Sequence, residues 1–208
     1  MPEPVKALTG IAAPLDLSNV DTDQIMPARF MRRPRDERYA QYGFHDLRFG
    51  PDGSPRPDFP LNRPPWDRAA ILVAGRNFGV GSSREAAVYA LQALGLRCVV
   101  ASSFGDIFFG NALKNGLLPV QLDEAAVAAL REAAASEPGL QLTVSLERQI
   151  LSSPAGAEHG FTIPAFAREC LLRGLDEIGL TMTLLPRIEA FERRKRMADA
   201  QRRAVPQP

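Results

Sequence analysis

The sequence predicts an α/β fold, a parallel central sheet flanked by helices and antiparallel strands. Three observations carry this. Short uninterrupted apolar runs recur, AAILVAG at 69–75, CVVA at 98–101 and LLPVQL at 117–122, as expected of strands buried on both faces. Helical patterns lie between them, SREAAVYALQALG at 83–95 and SFGDIFFGNALKNG at 103–116, and such alternation builds a parallel sheet. Finally, LQLTVSLERQILSS at 140–153 alternates apolar and polar residues and reads as one or two antiparallel strands.

Along the chain, residues 5–17 contain a short strand. The stretch 31–65 is dense in Arg, Pro, Gly and Asp and reads as a long irregular loop, the kind that serves as a functional lid or link. Its aromatic residues, Tyr39, Tyr42, Phe44, Phe49 and Phe59, with Trp66 just beyond, argue that parts of it pack. In the 83–95 helix Ala86, Ala87, Ala90, Leu91 and Leu94 share one broad face, with Gly95 as its C-terminal stop. Asp106 falls in the first turn of the next helix, where a carboxylate favours the helix dipole. Asn111 and Asn115 read as cap and turn residues. DEAAVAALREAAAS at 123–136 has an acidic start and Pro138-Gly139 beyond it, a strong helix. FTIPAFARECLLRG at 161–174 gives a short strand and then a helix from near Pro164 to Gly174. From 187 onward the chain is a charged helix fraying into a polar end, and its basic cluster reads as a solvated face with i,i+4 pairs.

With 208 residues the chain is long enough for one domain with a sizeable core. A net charge of +1 supplies no global field toward nucleic acid or an anionic membrane. No run approaches the ~18 apolar residues of a membrane span. The start MPEPVKALTG lacks the apolar core of a signal peptide, so a cytoplasmic location is expected. Cys98 and Cys170 stand in apolar surroundings and read as buried free thiols. Two cysteines and the distant His45 and His159, both expected in exposed loops, do not make an iron–sulfur or structural zinc site.

The chemistry concentrates in GRNFGVGSSREAA, 75–87, where a strand gives way to a helix. A dinucleotide fingerprint fails because its third glycine position holds Arg84, and the spacing of a Walker loop is absent. What remains is a glycine-rich turn that lets backbone approach a ligand, a helix start that favours an anion, and an arginine fork suited to a carboxylate. Ser82 and Ser83 add hydroxyls. Ser82 with Glu85 also spells a capping box. DTD at 21–23 allows either a metal-binding pair of aspartates or turn chemistry with one functional carboxylate; the second reading is favoured, with Asp23 as that carboxylate.

Three segments, NVDTDQIMPARF (19–30), GRNFGVGSSREAAVYAL (75–91) and SFGDIFFGNALKNGLLP (103–119), together resemble the aconitase superfamily. The resemblance is strongest to the small subunits of isopropylmalate dehydratases, and GLDEIGLTM at 174–182 extends it. It implies a swivelling β/β/α domain at 1–186, with 31–65 as its substrate-side loop and 187–208 as a charged C-terminal helix and tail. The implied partner is a larger subunit carrying a [4Fe–4S] cluster, and this chain binds no cofactor itself. The implied reaction is reversible loss and re-addition of water on a hydroxy di- or tricarboxylic acid. One cluster iron acts as Lewis acid on the leaving hydroxyl. Ser82 is the implied base for the carbon-bound proton, acting as an alkoxide. Arg84 binds substrate carboxylate with Ser83 in support. Asp23 is an active-site aspartate, and Arg29 contributes to substrate binding. An alkoxide base needs several donors and a nearby cation, which the glycine turn, the helix start and Arg84 supply.

The family commonly reads GCGSSREHA where this chain has GVGSSREAA, with Val80 and Ala86 as departures. The expected substrate is 2-/3-isopropylmalate in leucine biosynthesis. The alternatives are a citraconate- or methylmalate-type substrate, or a carboxylate-binding module without catalysis.

Overall fold

The computed structural model describes residues 4–82 and 84–204, with the backbone alone for 198–204. Among the described residues seven strands form one sheet: β1 (Ala7–Leu15), β2 (Ile71–Ala74), β3 (Cys98–Ala101), β4 (Leu118–Gln121), β5 (Gln141–Ser145), β6 (Ile150–Ser152) and β7 (Glu158–Gly160). The order is β4-β3-β2-β1-β5-β6-β7. β1 to β4 pair in parallel, and β5 to β7 extend the sheet antiparallel from β1. β1 joins the two halves within one strand. Its end, Ala12 to Leu15, pairs with β2, and its start, Ala7 to Ile11, pairs with β5.

The apolar runs are continuous because successive residues of the parallel strands face two separate cores. Leu72, Ala74, Val99 and Ala101 pack on one side. Ile71, Val73, Cys98 and Val100 pack on the other. A strand buried on both faces has no polar side to alternate with. The first core is covered by α1 (Thr22–Ile25), α2 (His45–Arg48), α3 (Glu85–Ala93) and much of α4 (Asp106–Lys114). The second is covered by α5 (Glu124–Ser136) and α6 (Ala165–Arg173). Asp123 caps α5 by accepting the Ala126 N–H at 2.8 Å, and Gly95 and Gly174 take the left-handed conformations that close α3 and α6.

The stretch 31–65 is better ordered than its composition predicts. Short 3-10 turns at Ala28–Phe30, Glu37–Tyr42, Pro60–Asn62 and Trp66–Arg68, together with α2, fold it against α3. Tyr39, Phe44, Phe59, Leu61 and Trp66 are buried there. The half-buried Arg48 ties it together, donating to the Ala40 and Gly43 carbonyls and to Asn62 Oδ1, while Asn62 Nδ2 donates back to the Arg48 carbonyl. Backbone carbonyls rather than periodicity hold this region, which is why it reads as a loop.

Other expectations need correction. No strand forms at 161–163. Phe161 and Ile163 are buried in alternation, but the Ile163 N–H donates to the Gln149 side chain rather than to a strand neighbour; the strand, β7, lies just before. His159 sits in β7 and is only partly exposed. His45 opens α2 and packs on the rings of Phe30 and Phe49. Asn111 is inside α4 rather than at an end, whereas Asn115 is its C-cap. Both cysteines are free and buried, and burial pushes both thiols up.

After α7 (Glu177–Thr183) the chain continues into α8 (Leu185–Ala204). Through Met197 its side chains are exposed, Ala190 being half-buried. Arg196 pairs with Glu192 one turn away. Among the described residues, no helix is long and apolar enough to cross a membrane.

Candidate active site

The site is built where two segments run side by side past the carboxyl ends of β1 and β2. The Asn19 N–H donates to the Arg76 carbonyl, Gly79 and Val80 donate to the Val20 carbonyl, and Thr22 donates to the Val80 carbonyl at 2.9 Å. Asn19 and Asn77 both adopt left-handed backbone, and Asn77 Nδ2 donates to Asn19 Oδ1 at 2.9 Å. Asparagine tolerates that conformation better than most residues.

Gly79 must be glycine on two counts. Its φ is +75°, and a Cβ there would overlap the Phe108 ring. The turn therefore seats directly on α4, with the Phe78 ring edge-on to Phe108 at 5.4 Å. Gly81, at φ +91°, then turns the chain back along α1 and leaves Ser82 exposed at the surface.

Ser82 does not cap α3. The helix begins at Glu85 with Arg84 as N-cap, and among the described residues no side chain bonds the cap. Ser82 lies two residues upstream, and the Glu85 carboxylate instead accepts from Asn115 Nδ2 at 2.8 Å. The Ser82 carbonyl accepts from the buried Thr22 hydroxyl at 2.8 Å. Ser82 is thus an exposed residue two positions before a helix N-cap, where main-chain amides attract negative charge.

Asp21 and Asp23 divide their work. Asp21 caps α1 in a reciprocal capping box with Gln24. Asp23 grips Arg84 through both carboxylate oxygens, one of them accepting from Nη2 at 2.7 Å. Asp23 Oδ1 also accepts the Ala28 N–H at 3.0 Å. The Arg84 guanidinium beside it, reinforced by that amide, holds the Asp23 carboxyl below the usual carboxylate range. Arg84 donates further to the Met26 carbonyl at 3.4 Å. Ser82, Asp23 and Arg84 therefore share one surface.

Arg29 turns away from that cluster. It forms a two-point pair with Asp46, contacts His45 Nδ1 at 3.3 Å and lies over the Phe30 ring. The Arg29 guanidinium lowers the Asp46 carboxyl to about 2. Ser83 falls outside the described residues. Val80 forms a bridge with Asp21, and Ala86 packs at the edge of the first core.

Sequence reasoning missed Thr22, Asn19, Asn77 and Asp46. Thr22 lies inside the DTD motif, and a hydroxyl between two aspartates was the available signal. Nothing local marks Asp46 as the partner of an arginine 17 positions earlier.

The aconitase C-terminal domain model matches residues 2–125, and the LeuD_N model matches residues 128–165. The chain is 46% identical to the 3-isopropylmalate dehydratase small subunit of Rhodospirillum rubrum, over 94% of this chain and 95% of that one. It is 44% identical to that of Brevibacillus brevis, over 90% and 96%. The crystal structure of a 3-isopropylmalate dehydratase from Methanocaldococcus jannaschii superposes with a TM-score of 0.63 at 26% identity, covering 88% of this chain and 99% of that one. The chain belongs to the aconitase C-terminal domain family and, within it, to the 3-isopropylmalate dehydratase small subunits.

Proposed function

We propose that this chain serves a cytoplasmic 3-isopropylmalate dehydratase of leucine biosynthesis, active when joined to a large subunit. The reaction interconverts 2- and 3-isopropylmalate by removing and re-adding water. Ser82, as its alkoxide, takes the proton from the carbon next to the hydroxyl-bearing one. That C–H electron pair becomes the second bond of the alkene as the C–O bond breaks and hydroxide leaves. Hydroxide then adds to the carbon that lost its proton, and Ser82 returns that proton to the carbon that bore the hydroxyl, so the net change is isomerisation and the base is an alkoxide again.

The observation that carries this reading is the position of Ser82. It is exposed, follows two left-handed glycines, and precedes a helix start that no side chain of the described residues caps. Helix-start amides and the adjoining guanidinium favour an oxyanion there. Asp23 fixes the Arg84 fork, whose Nε edge makes no bond among the described residues and is available to a substrate carboxylate. Ser83 supports that contact, and Arg29 meets a second carboxylate after exchanging Asp46 for it. Residues 1–186 act as the swivel domain, with 187–208 as an appended helix and tail.

The [4Fe–4S] cluster of this reaction type belongs, in this reading, to the large subunit. Cys98 is fully buried within β3, and Cys170 is buried in α6. Among the described residues no three His, Cys, Asp or Glu side chains converge as a metal site. These residues do not fit a cluster cradle, and no step assigned to this chain runs through one.

The test is Ser82→Ala in the complex reconstituted with the large subunit. Turnover of 2-isopropylmalate is expected to fall about 10³-fold or more, within the range for a positioned base, while assembly measured by size-exclusion chromatography is unchanged. Turnover within tenfold of wild type rejects the assignment.

A further inference from the structure

Thr22 is 3% exposed, the one hydrophilic side chain among the described residues to be buried apart from Tyr, Trp and Cys. Burial of a hydroxyl is unfavourable unless it is hydrogen-bonded. Its partner is the main-chain carbonyl of Ser82, 2.8 Å away and 60 positions along the chain. A second bond runs the same way, from the Thr22 N–H to the Val80 carbonyl at 2.9 Å. One residue therefore holds the turn at two points on either side of Gly81.

Gly81 needs that restraint. Its φ of +91° is glycine territory, and a residue without a side chain has the widest choice of alternative conformations. Nearby, a Cβ on Gly81 would meet only Asp21 and Thr22 at ordinary contact distance. The turn is not wedged by packing at this point, so hydrogen bonds must set its course. The bond to the Ser82 carbonyl fixes the plane of the peptide that follows Ser82. It thereby restrains the residue's backbone and the direction in which Cβ leaves it, the bond from which Oγ extends. Thr22 also opens α1, which carries Asp23, the partner of Arg84.

The geometry points to Thr22 as a positioning residue. Its hydroxyl clamps the Ser82 carbonyl and so aims the base, keeping it in register with the Asp23–Arg84 pair. Thr22 touches neither substrate nor reacting atoms. This rests on the assignment of Ser82 as base.

The decisive variant is Thr22→Val in the complex with the large subunit, which keeps the shape and deletes the hydroxyl. Misaiming a reacting group by about 1 Å costs on the order of 10²-fold. Accordingly kcat should fall about 10- to 100-fold while KM stays within about threefold. Thr22→Ser retains the donor and should restore kcat to within about threefold. With substrate deuterated at the carbon that loses its proton, the isotope effect on kcat should rise in Thr22→Val and not in Thr22→Ser. A purely structural role would leave that ratio unmoved. If Thr22→Val fails to assemble, Thr22→Ala carries the same measurement.

A kcat within about twofold of wild type with an unchanged isotope effect overturns the inference, as does a loss carried by KM alone. Ser82→Ala separates the two failures. If that variant still turns over, the base assignment falls and the clamp falls with it. If it is dead while Thr22→Val is unimpaired, only the clamp falls.

Discussion

Arg84–Asp23 and Arg29–Asp46 are the same pair of groups in the same two-point geometry, yet they sit in different physical settings. The Arg84 side chain is 13% exposed and that of Arg29 is 53%. Arg84 is also bound to the Met26 carbonyl, and Asp23 is pinned by the Ala28 N–H. Arg29 leans on an exposed aspartate, a histidine and one aromatic ring. The first pair joins residues 61 positions apart and ties the turn before α3 to α1; the second stays within one local fold, 17 positions apart. Both aspartates are 55% exposed, and Asp46 has His45 as a further partner, so the contrast lies in the guanidinium. A fork shielded from water and bound to a main-chain carbonyl is preorganised, whereas an exposed fork exchanges readily.

Arg84→Lys has the largest expected effect. A lysine keeps the charge but loses the planar fork, so it cannot grip both Asp23 oxygens and present a further edge to substrate. In the reconstituted complex, kcat/KM is expected to fall about 10²-fold, as when one preorganised donor is deleted. Arg29→Lys should lose less than tenfold, in keeping with an exposed and exchangeable contact. Equal losses at the two positions would show that burial does not distinguish them.

The same contrast explains how much was legible in the sequence. β2, β3 and β4, α3, α4 and α5 follow from apolar runs and periodicity, because burial on both faces writes itself into composition. Ser82 and Arg84 stood out in the glycine-rich turn and Asp23 in DTD, and the resemblance implied their roles; the structure pairs Arg84 with Asp23 and bonds the Ser82 carbonyl to the neighbouring Thr22. Ser82 misled as a capping residue, since S-x-x-E is satisfied on paper whether or not the chain enters the helix that way. Two left-handed glycines delay entry until Glu85. The packing of 31–65 was not legible beyond its aromatics. It depends on Arg48 and Asn62 reaching main-chain carbonyls, and such bonds leave no period. Asp46 was invisible for a related reason: a surface ion pair is set by two rotamers, not by spacing.

A gentler perturbation reads the exposed pair directly. Asp46→Asn removes the charge that holds Arg29 and keeps the side-chain shape. If Arg29 exchanges Asp46 for a substrate carboxylate, the exchange becomes easier and KM should fall about two- to threefold with kcat unchanged, a shift of the size expected from a surface pair. A rise in KM would mean that Asp46 presents Arg29 to substrate rather than competing for it.

The smallest effect is on stability in acid, and its sign follows from the lowered carboxyls. Asp46 is held at about 2 and Asp23 also lies below the usual range, whereas an unfolded chain titrates such groups near ~3.9. Folding therefore gains from both pairs above about pH 4, and the gain is lost as pH falls from about 4 toward about 2. At Asp46, more than half exposed, solvent screens most of the attraction. The melting temperature of wild type at pH 6 should exceed that of Asp46→Asn by no more than ~4 °C. That gap should close on acidification through the same window, and it should shrink in 1 M salt, where screening acts within about 3 Å. The Asp23 pair resists salt better, because its guanidinium is largely shielded from water. A comparable salt response from Asp23→Asn would erase the distinction between the two pairs.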